Sequence, residues 1–517
     1  MAKICNDSGL RLKESGFPAE SGVKLLRQKK HLANSPFLWL VSDTYLFPFW
    51  ALMDTKTFLT RAAALVAGKG VQDGLKFLLL LWLARTDQSG FGLFVFGVGV
   101  AILIRSILSL GLDQFTVREL TLDHESRGHI LGQMVRLKIV AGLLILGSIL
   151  AFGRLKGWSH VEILVVLVIS TGTILEGVAD SFFSLYRAEG RQVQEAICSS
   201  TAHIFGAIYG AVVLFCGWGV VAVSFFVVIS NGLKIMLAVG FGARASMIPR
   251  LSRGISILNK AKINSLLMVV AFSFLGSFYN QVQVFLLKEF KTLSELALYG
   301  AAGELAGAFA GLVSGFIIGG VLYPSLAKAA PQGTEEFSAV VRLYFWRMAA
   351  FGLGTAFFFC TLGADLLYIV FGENYAGSIV PLQLLGLATL FSFLNNLLIQ
   401  TLLAQHQERL LLWLHIVPAL VSLPLGCILI PRLGASGAAL NLLVCRVIMT
   451  LLILPRVQMR YRLFTCFHVK PFLWGGVILA IAFSGLQALN VPLSRLSAVL
   501  ALAGYTWWTW RWALGRS

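Results

Sequence analysis

Along most of the chain apolar residues neither alternate with polar ones nor gather on one helical face. They run on for about 20 residues and then give way to a short charged turn, which is the length an α-helix needs to cross the hydrocarbon core of a bilayer. Six such runs fall at 62–84, 90–112, 135–153, 161–184, 196–216 and 219–241. Six more follow at 263–287, 296–323, 341–362, 378–404, 410–430 and 434–455, and a last pair at 471–489 and 493–512. The pattern predicts an all-α polytopic membrane protein of about 14 transmembrane helices, with two parallel six-helix lobes around a central cavity and a C-terminal helix pair. The expected divisions are 1–59 (a polar and interfacial N-terminal extension), 60–241 (the first lobe), 242–262 (a basic linker), 263–455 (the second lobe) and 456–517. The run at 62–84 is the weakest, because Lys69, Asp73 and Lys76 interrupt it. Residues 36–53 carry Pro36, Asp43 and Pro48 among aromatics, which suits a segment lying along the membrane surface. Met53 is an alternative start, which would leave 1–52 outside the native protein.

Composition agrees. Apolar residues make up 57% of the 517 and charged ones 13%, far from the roughly 45–50% and 25% of soluble domains. That balance excludes a soluble enzyme, a disordered chain and a disulfide-rich secreted scaffold. The net charge of +18 reads as loop charge that sets orientation, not as a nucleic-acid surface, since no soluble basic domain exists to carry one. Lys and Arg favour the side holding the N-terminus by 30 to 7, which predicts both termini in the cytoplasm. The seven cysteines are scattered through apolar runs, so neither a disulfide framework nor a metal site is expected, and no cofactor. Trp507, Trp508, Trp510 and Trp512 read as an interfacial aromatic belt.

Local patterns recur between the two sets of six runs. Gly217-Trp-Gly-Val-Val-Ala222 opens the sixth, and Leu433-Gly-Ala-Ser-Gly-Ala438 opens the twelfth. Leu185-Tyr-Arg-Ala-Glu-Gly-Arg191 ends the fourth, and Leu402-Leu-Ala-Gln-His-Gln-Glu-Arg409 ends the tenth. Gly92-Leu-Phe94 and Leu298-Tyr-Gly300 enter the second and eighth. An even number of spans per repeat makes the halves parallel, an arrangement transporters use with the substrate path between them.

A charge at mid-membrane costs ~2.5–3.5 kcal/mol on insertion scales, so in-span charges are paired or face a wet cavity. The basic ones set deepest in a run are Lys69, Lys76, Arg105, Lys234 and Arg446, and the acids beside them are Asp73, Glu176, Asp180 and Glu304. Lys69, Asp73 and Lys76 share one helical face, and Glu176 and Asp180 stand one turn apart, poised to pair with a cation. Lys234 and Arg446, on repeat-related helices, are placed to face one another, while Lys234 is also near enough to a helix end to snorkel. A cationic cavity would receive a phosphate headgroup through charge-assisted hydrogen bonds. Asn280, Gln281 and Gln283, with Asn395, Asn396 and Gln400, add neutral groups able to bind sugar hydroxyls or neighbouring helices. The candidate cavity residues are therefore Lys69, Asp73, Lys76, Arg105, Lys234, Asn280, Gln283 and Arg446. Gly303, Gly307, Gly311 and Gly315 recur every four residues, as close helix packing requires.

Ala84-Arg-Thr-Asp-Gln-Ser-Gly-Phe-Gly-Leu-Phe94 and Leu110-Gly-Leu-Asp-Gln-Phe-Thr-Val-Arg-Glu-Leu120 are followed, in order, by three further stretches. These are Leu298-Tyr-Gly-Ala-Ala302, Phe371-Gly-Glu-Asn-Tyr375 and Pro431-Arg-Leu-Gly-Ala-Ser-Gly-Ala-Ala439. Over 60–512 this set resembles the bacterial polysaccharide-biosynthesis (O-antigen-type) flippases of the multidrug/oligosaccharidyl-lipid/polysaccharide exporter superfamily. The resemblance implies transport of undecaprenyl-pyrophosphate-linked oligosaccharides across the bacterial cytoplasmic membrane by alternating access. It implies partners in membrane lipids and in glycosyltransferases or a polymerase of the same pathway, and neither an enzyme activity nor nucleic acid. The chain departs from the pattern at Tyr279-Asn-Gln-Val-Gln283, where relatives often carry an acid, so ion coupling through that helix lacks its group. The alternatives are a proton- or sodium-coupled drug antiporter, for which Asp73, Glu176 and Asp180 speak, and a membrane glycan polymerase or ligase. The latter would need a large external loop with catalytic Arg or His, and external loops here are short.

Overall fold

The computed structural model describes residues 55–108, 127–242, 260–313, 334–405 and 407–464, with Asp113, Thr116, Val117, Leu120, Gly504 and Tyr505 beside them. The helices are α1 (Thr55–Thr86), α2 (Gln88–Leu108), α3 (Arg127–Leu155), α4 (His160–Ala188), α5 (Gln192–Phe215), α6 (Gly219–Gly242), α7 (Lys260–Phe290), α8 (Leu293–Val313) and α9 (Thr334–Thr361). A short α10 (Gly363–Phe371) and a 3-10 turn (Glu373–Ser378) lead into α11 (Ile379–Leu403) and α12 (Glu408–Tyr461). No strand occurs among the described residues. Over their described residues, the first twelve expected spans fall on helices, the eleventh and twelfth on the two arms of α12. The expected last pair apart from Gly504 and Tyr505, the surface segment at 36–53, the tryptophan belt and most of the basic linker lie outside the described residues.

Among the described residues nine helices are long and apolar enough to cross a membrane. Their outer faces carry large bare side chains, such as Leu144 at 69% exposure, Phe215 at 83% and Trp413 at 69%. Water would not tolerate so much apolar surface, whereas acyl chains would. The protein is a multi-pass membrane protein.

A straight helix of 54 residues would run about 81 Å, nearly twice the depth of a bilayer, so α12 must turn back. It does so at Gly434, whose φ of 57° and ψ of −131° lie outside the reach of ordinary L-residues. The carboxylate of Glu295, in the first turn of α8, accepts from Ala435 N at 2.8 Å and caps the second arm. Gly217 and Gly219, which open α6, also have positive φ, at 71° and 80°. Both glycine-bearing repeats of the sequence therefore place a left-handed glycine at a helix junction.

A second repeated pattern also has a structural counterpart. Tyr186, near the end of α4, donates to Ala238 O on α6 at 2.5 Å, and Arg191 to Phe241 O at 3.1 Å. Past the end of α11, the Gln405 amide donates to the Tyr461 hydroxyl at the end of α12. Packing follows a similar scheme: α4 lies against α2, α3 and α6, and α5 against α6; α7 packs on the α12 arms, and α11 on α8, α9 and α12. Helix α2 also packs against α7 and α8, which joins the first six helices to the later ones.

Much of that junction gathers at one end, where four of the five sequence landmarks meet. Arg85 donates to Val370 O at 2.8 Å and to Ile369 O at 2.7 Å, covering the last carbonyls of α10. Tyr375 donates to Ala84 O at 2.9 Å, and its ring and that of Phe371 pack on Phe91. Ser378 donates to Leu298 O at 2.8 Å. Asp87 accepts from Gly90 N at 2.8 Å and caps α2. Beside them the α3–α4 turn meets the end of α7 through two ion pairs, Lys156–Glu289 at 3.0 Å and Lys288–Glu162 at 2.5 Å. Glu162 also completes a capping box with Ser159 at the start of α4.

Candidate substrate cavity

A cavity of about 240 Å³ opens where α2, α7, α8, α11 and the second arm of α12 come together. Phe94, Val98 and Ile102 of α2, with Leu385 and Leu442, give it an apolar floor. Asn280 and Gln281 of α7, Thr389 and Ser392 of α11, Glu304 of α8 and Arg446 of α12 supply its polar groups. Gly303 and Gly307 also line it, and a Cβ added at either would meet nothing within 4 Å. The glycine stripe on α8 therefore does not serve close packing at these two positions, as the spacing suggested. It leaves room. Gly315 lies outside the described residues.

Arg446 stands twelve residues beyond the Gly434 bend, well inside the second arm. Its Nε and Nη2 donate to Asn280 Oδ1 at 3.4 and 3.3 Å, both long bonds. Asn280 Nδ2 in turn donates to Gly276 O at 2.7 Å, one turn back on α7, which fixes the direction of the amide. Tyr279, Tyr299 and Cys445 are its other electrostatic neighbours. Among the described residues no carboxylate lies within 4.0 Å of this guanidinium. Glu304 lines the same cavity without pairing with it. The backbone at Arg446 is held separately: Asn395 Nδ2 donates to its carbonyl at 2.9 Å and Thr450 Oγ1 at 3.0 Å. Asn395, which the sequence left open between sugar hydroxyls and a neighbouring helix, thus serves the packing of α11 on α12.

Arg105 is the opposite case. It falls in the last turn of α2, donates to Glu176 at 2.5 Å and pairs with Asp180 at 3.5 Å. The i,i+4 acids of α4 do take a cation, as their spacing predicts. Close by, the fully buried ammonium of Lys138 pairs with Asp113 at 2.6 Å and donates to Gly177 O at 2.7 Å. Lys138 was not among the sequence candidates. Helix α3 begins at Arg127, eight residues before the apolar run, and so carries Lys138 three turns inside. Three bases (Arg105, Lys138, Lys234) then stand with three acids (Asp113, Glu176, Asp180), and this cluster is formally neutral.

The remaining candidates separate from the cavity. Lys234 is only 3% exposed and so does not snorkel. Its charged neighbours are Glu176, Asp180, Arg105 and Glu195, none of which it shares with Arg446, so the two do not face one another. Lys69 and Asp73 form an exposed i,i+4 pair at 3.4 Å, and half-buried Lys76 follows on the same helix. None of the three lines the cavity. Gln283 is fully buried and donates to Tyr279 O at 2.9 Å, facing away from the space that its neighbour Gln281 lines. The cavity therefore brings together Asn280 and Arg446 of the sequence candidates. It adds Gln281 and Glu304, both visible in the sequence but not selected there.

Comparison with known proteins follows from this geometry. The fold is that of the transporters of the MOP superfamily. It superposes on an inward-facing multidrug-resistance transporter of the MATE family at a TM-score of 0.61, with 14% identity over 78% of this chain and 98% of that one. Against the lipid II flippase MurJ, in an inward closed conformation, the TM-score is 0.67, with 12% identity over 86% of this chain and 98% of the other. A superfamily transporter from Pyrococcus furiosus, described by a reversed polarity of its binding pocket, gives 0.55 at 15% identity over 79% and 96%. No curated protein matches by sequence. A family model, polysaccharide biosynthesis protein, matches residues 58–330, more than half of the chain. The chain belongs to the polysaccharide biosynthesis protein family.

Proposed function

We propose that this protein moves undecaprenyl-pyrophosphate-linked oligosaccharides from the inner to the outer leaflet of the bacterial cytoplasmic membrane. The observation that carries the reading is Arg446: a mid-span guanidinium beside a cavity, held by an amide and left without a carboxylate. A cation kept in that condition is costly unless an anion arrives. The pyrophosphate takes its free donors, Asn280, Gln281 and Glu304 face the first sugar-bearing part of the head, and the polyprenyl tail stays among lipids. Lys69, Asp73, Lys76, Arg105, Lys234 and Gln283 lie outside this cavity. In this reading they serve the helices around the path. The family and the MurJ-like fold support a transport protein of this kind, in which no bond is made or broken.

The first lobe (60–241) and the second (263–455) rock about the cavity in this scheme. The end that bears the two ion pairs carries the short, weakly basic turns, so by the distribution of Lys and Arg it faces outward, with both termini in the cytoplasm. Enzymes that build or join the glycan, glycosyltransferases or a polymerase, would meet the protein on either face. A drug or cation antiporter would call on Glu176 and Asp180, but Arg105 already holds both.

The test is flipping of a fluorescent polyprenyl-pyrophosphate oligosaccharide in liposomes holding the full chain. The expected result is flipping that Arg446→Gln abolishes. Vesicles with wild-type protein that flip no faster than empty ones would refute the reading.

A further inference from the structure

The acceptor that holds Arg446 is an amide, where the equivalent partners of Arg105 are carboxylates. The difference decides what each guanidinium can still do. A carboxylate at hydrogen-bond distance orients a guanidinium and cancels its charge at once. A neutral carbonyl oxygen orients it and leaves the charge in place. Asn280 is itself aimed by its 2.7 Å bond to Gly276 O, so its Oδ1 is presented to Arg446 while one N–H of its amide is committed to the backbone. The other N–H of that NH2 group stays available, while the oxygen that meets Arg446 acts as the tether.

We infer that Asn280 is the positioning residue that sets the polarity of the cavity, keeping Arg446 in place without neutralising it so that the site takes a pyrophosphate-type anion. This rests on the transport reading for its substrate class and deepens it. An aspartate at this position would be nearly isosteric, would sit 3.3–3.4 Å from the same nitrogens, and would convert the cavity group into a closed pair like that of Arg105. Glu304 would then make the space net acidic, and it would select cations.

The test uses the full chain in nanodiscs of uncharged lipid and inorganic pyrophosphate as the probe, with binding measured by calorimetry. Asn280→Asp should weaken binding by about tenfold or more, the loss of one charge-assisted contact. Asn280→Leu removes the tether and keeps the charge, so it should cost only about threefold. A purely structural role for the amide predicts the reverse order, because leucine disturbs the packing more than aspartate does. Thermal melting identifies a variant that fails to fold, in which case Asn280→Ser replaces Asn280→Leu in the comparison. Equal binding by wild type and Asn280→Asp, the reversed order, or no pyrophosphate binding by wild type would each overturn the assignment. Flipping that fails in vesicles while pyrophosphate binds in the expected order would sink the flippase reading alone.

Discussion

Two arginines divide this molecule. Arg105, at the end of α2, is locked by Glu176 and Asp180 inside a cluster whose six charges cancel. Arg446, deep in the second arm of α12, is held by one amide, has Tyr279, Tyr299 and Cys445 around it, and lines the cavity. Both are expensive to carry into a bilayer. The first is stabilised within the protein, and its removal should be felt as lost stability. The second is left for a ligand, and its removal should be felt as lost binding. In-span charge alone therefore does not mark a binding site; the state of its partners does.

The sharpest way to break the contrast is through Lys138, the buried member of the neutral cluster. Lys138→Met leaves Asp113 uncompensated and should destabilise the protein by about 3–5 kcal/mol, read as a fall in melting temperature in detergent. Pyrophosphate binding by the fraction that still folds should not change. Next in size is Arg446→Gln. It should weaken binding of a lipid-linked pyrophosphate by about 1.5–3 kcal/mol, roughly ten- to a hundredfold, while the melting temperature stays within a few degrees. Filling the cavity with Gly307→Leu should slow flipping about tenfold, since nothing within 4 Å now occupies that space. The smallest effect belongs to the rim. Lys156 and Glu289 are 45% and 53% exposed, so Lys156→Ala should change stability by less than about 1 kcal/mol. Half-buried Lys288 should matter more, and its reversal to Glu should raise labelling of a cysteine placed in the α3–α4 turn.

The sequence announced the helices well because lipid demands long apolar runs whatever their tertiary partners. It also announced the α6 and α12 turns, since only glycine fits their backbone, and the Glu176–Asp180 pair, which depends on local spacing. Three features were not legible. Lys138 stands near the start of the apolar run at 135–153, but its pairing with Asp113 and its bond to Gly177 O depend on how α3 packs, which its own stretch of sequence does not encode. Gln281 and Gln283 are 200° apart around α7, yet that helix is apolar on nearly every side, so no hydrophobic stripe fixes its phase. The glycine stripe of α8 had the period of a packing face, yet Gly303 and Gly307 line a void instead. The decisive difference between Arg105 and Arg446 is set by residues 71 and 166 positions away, which no local pattern encodes.

The most direct test compares the two arginines in one assay. Arg105→Gln and Arg446→Gln, each reconstituted at matched folded fraction, are titrated with a polyprenyl-pyrophosphate-linked oligosaccharide. The account predicts near wild-type affinity for Arg105→Gln and about tenfold or greater loss for Arg446→Gln. Equal losses in both, or a loss confined to Arg105→Gln, would contradict it.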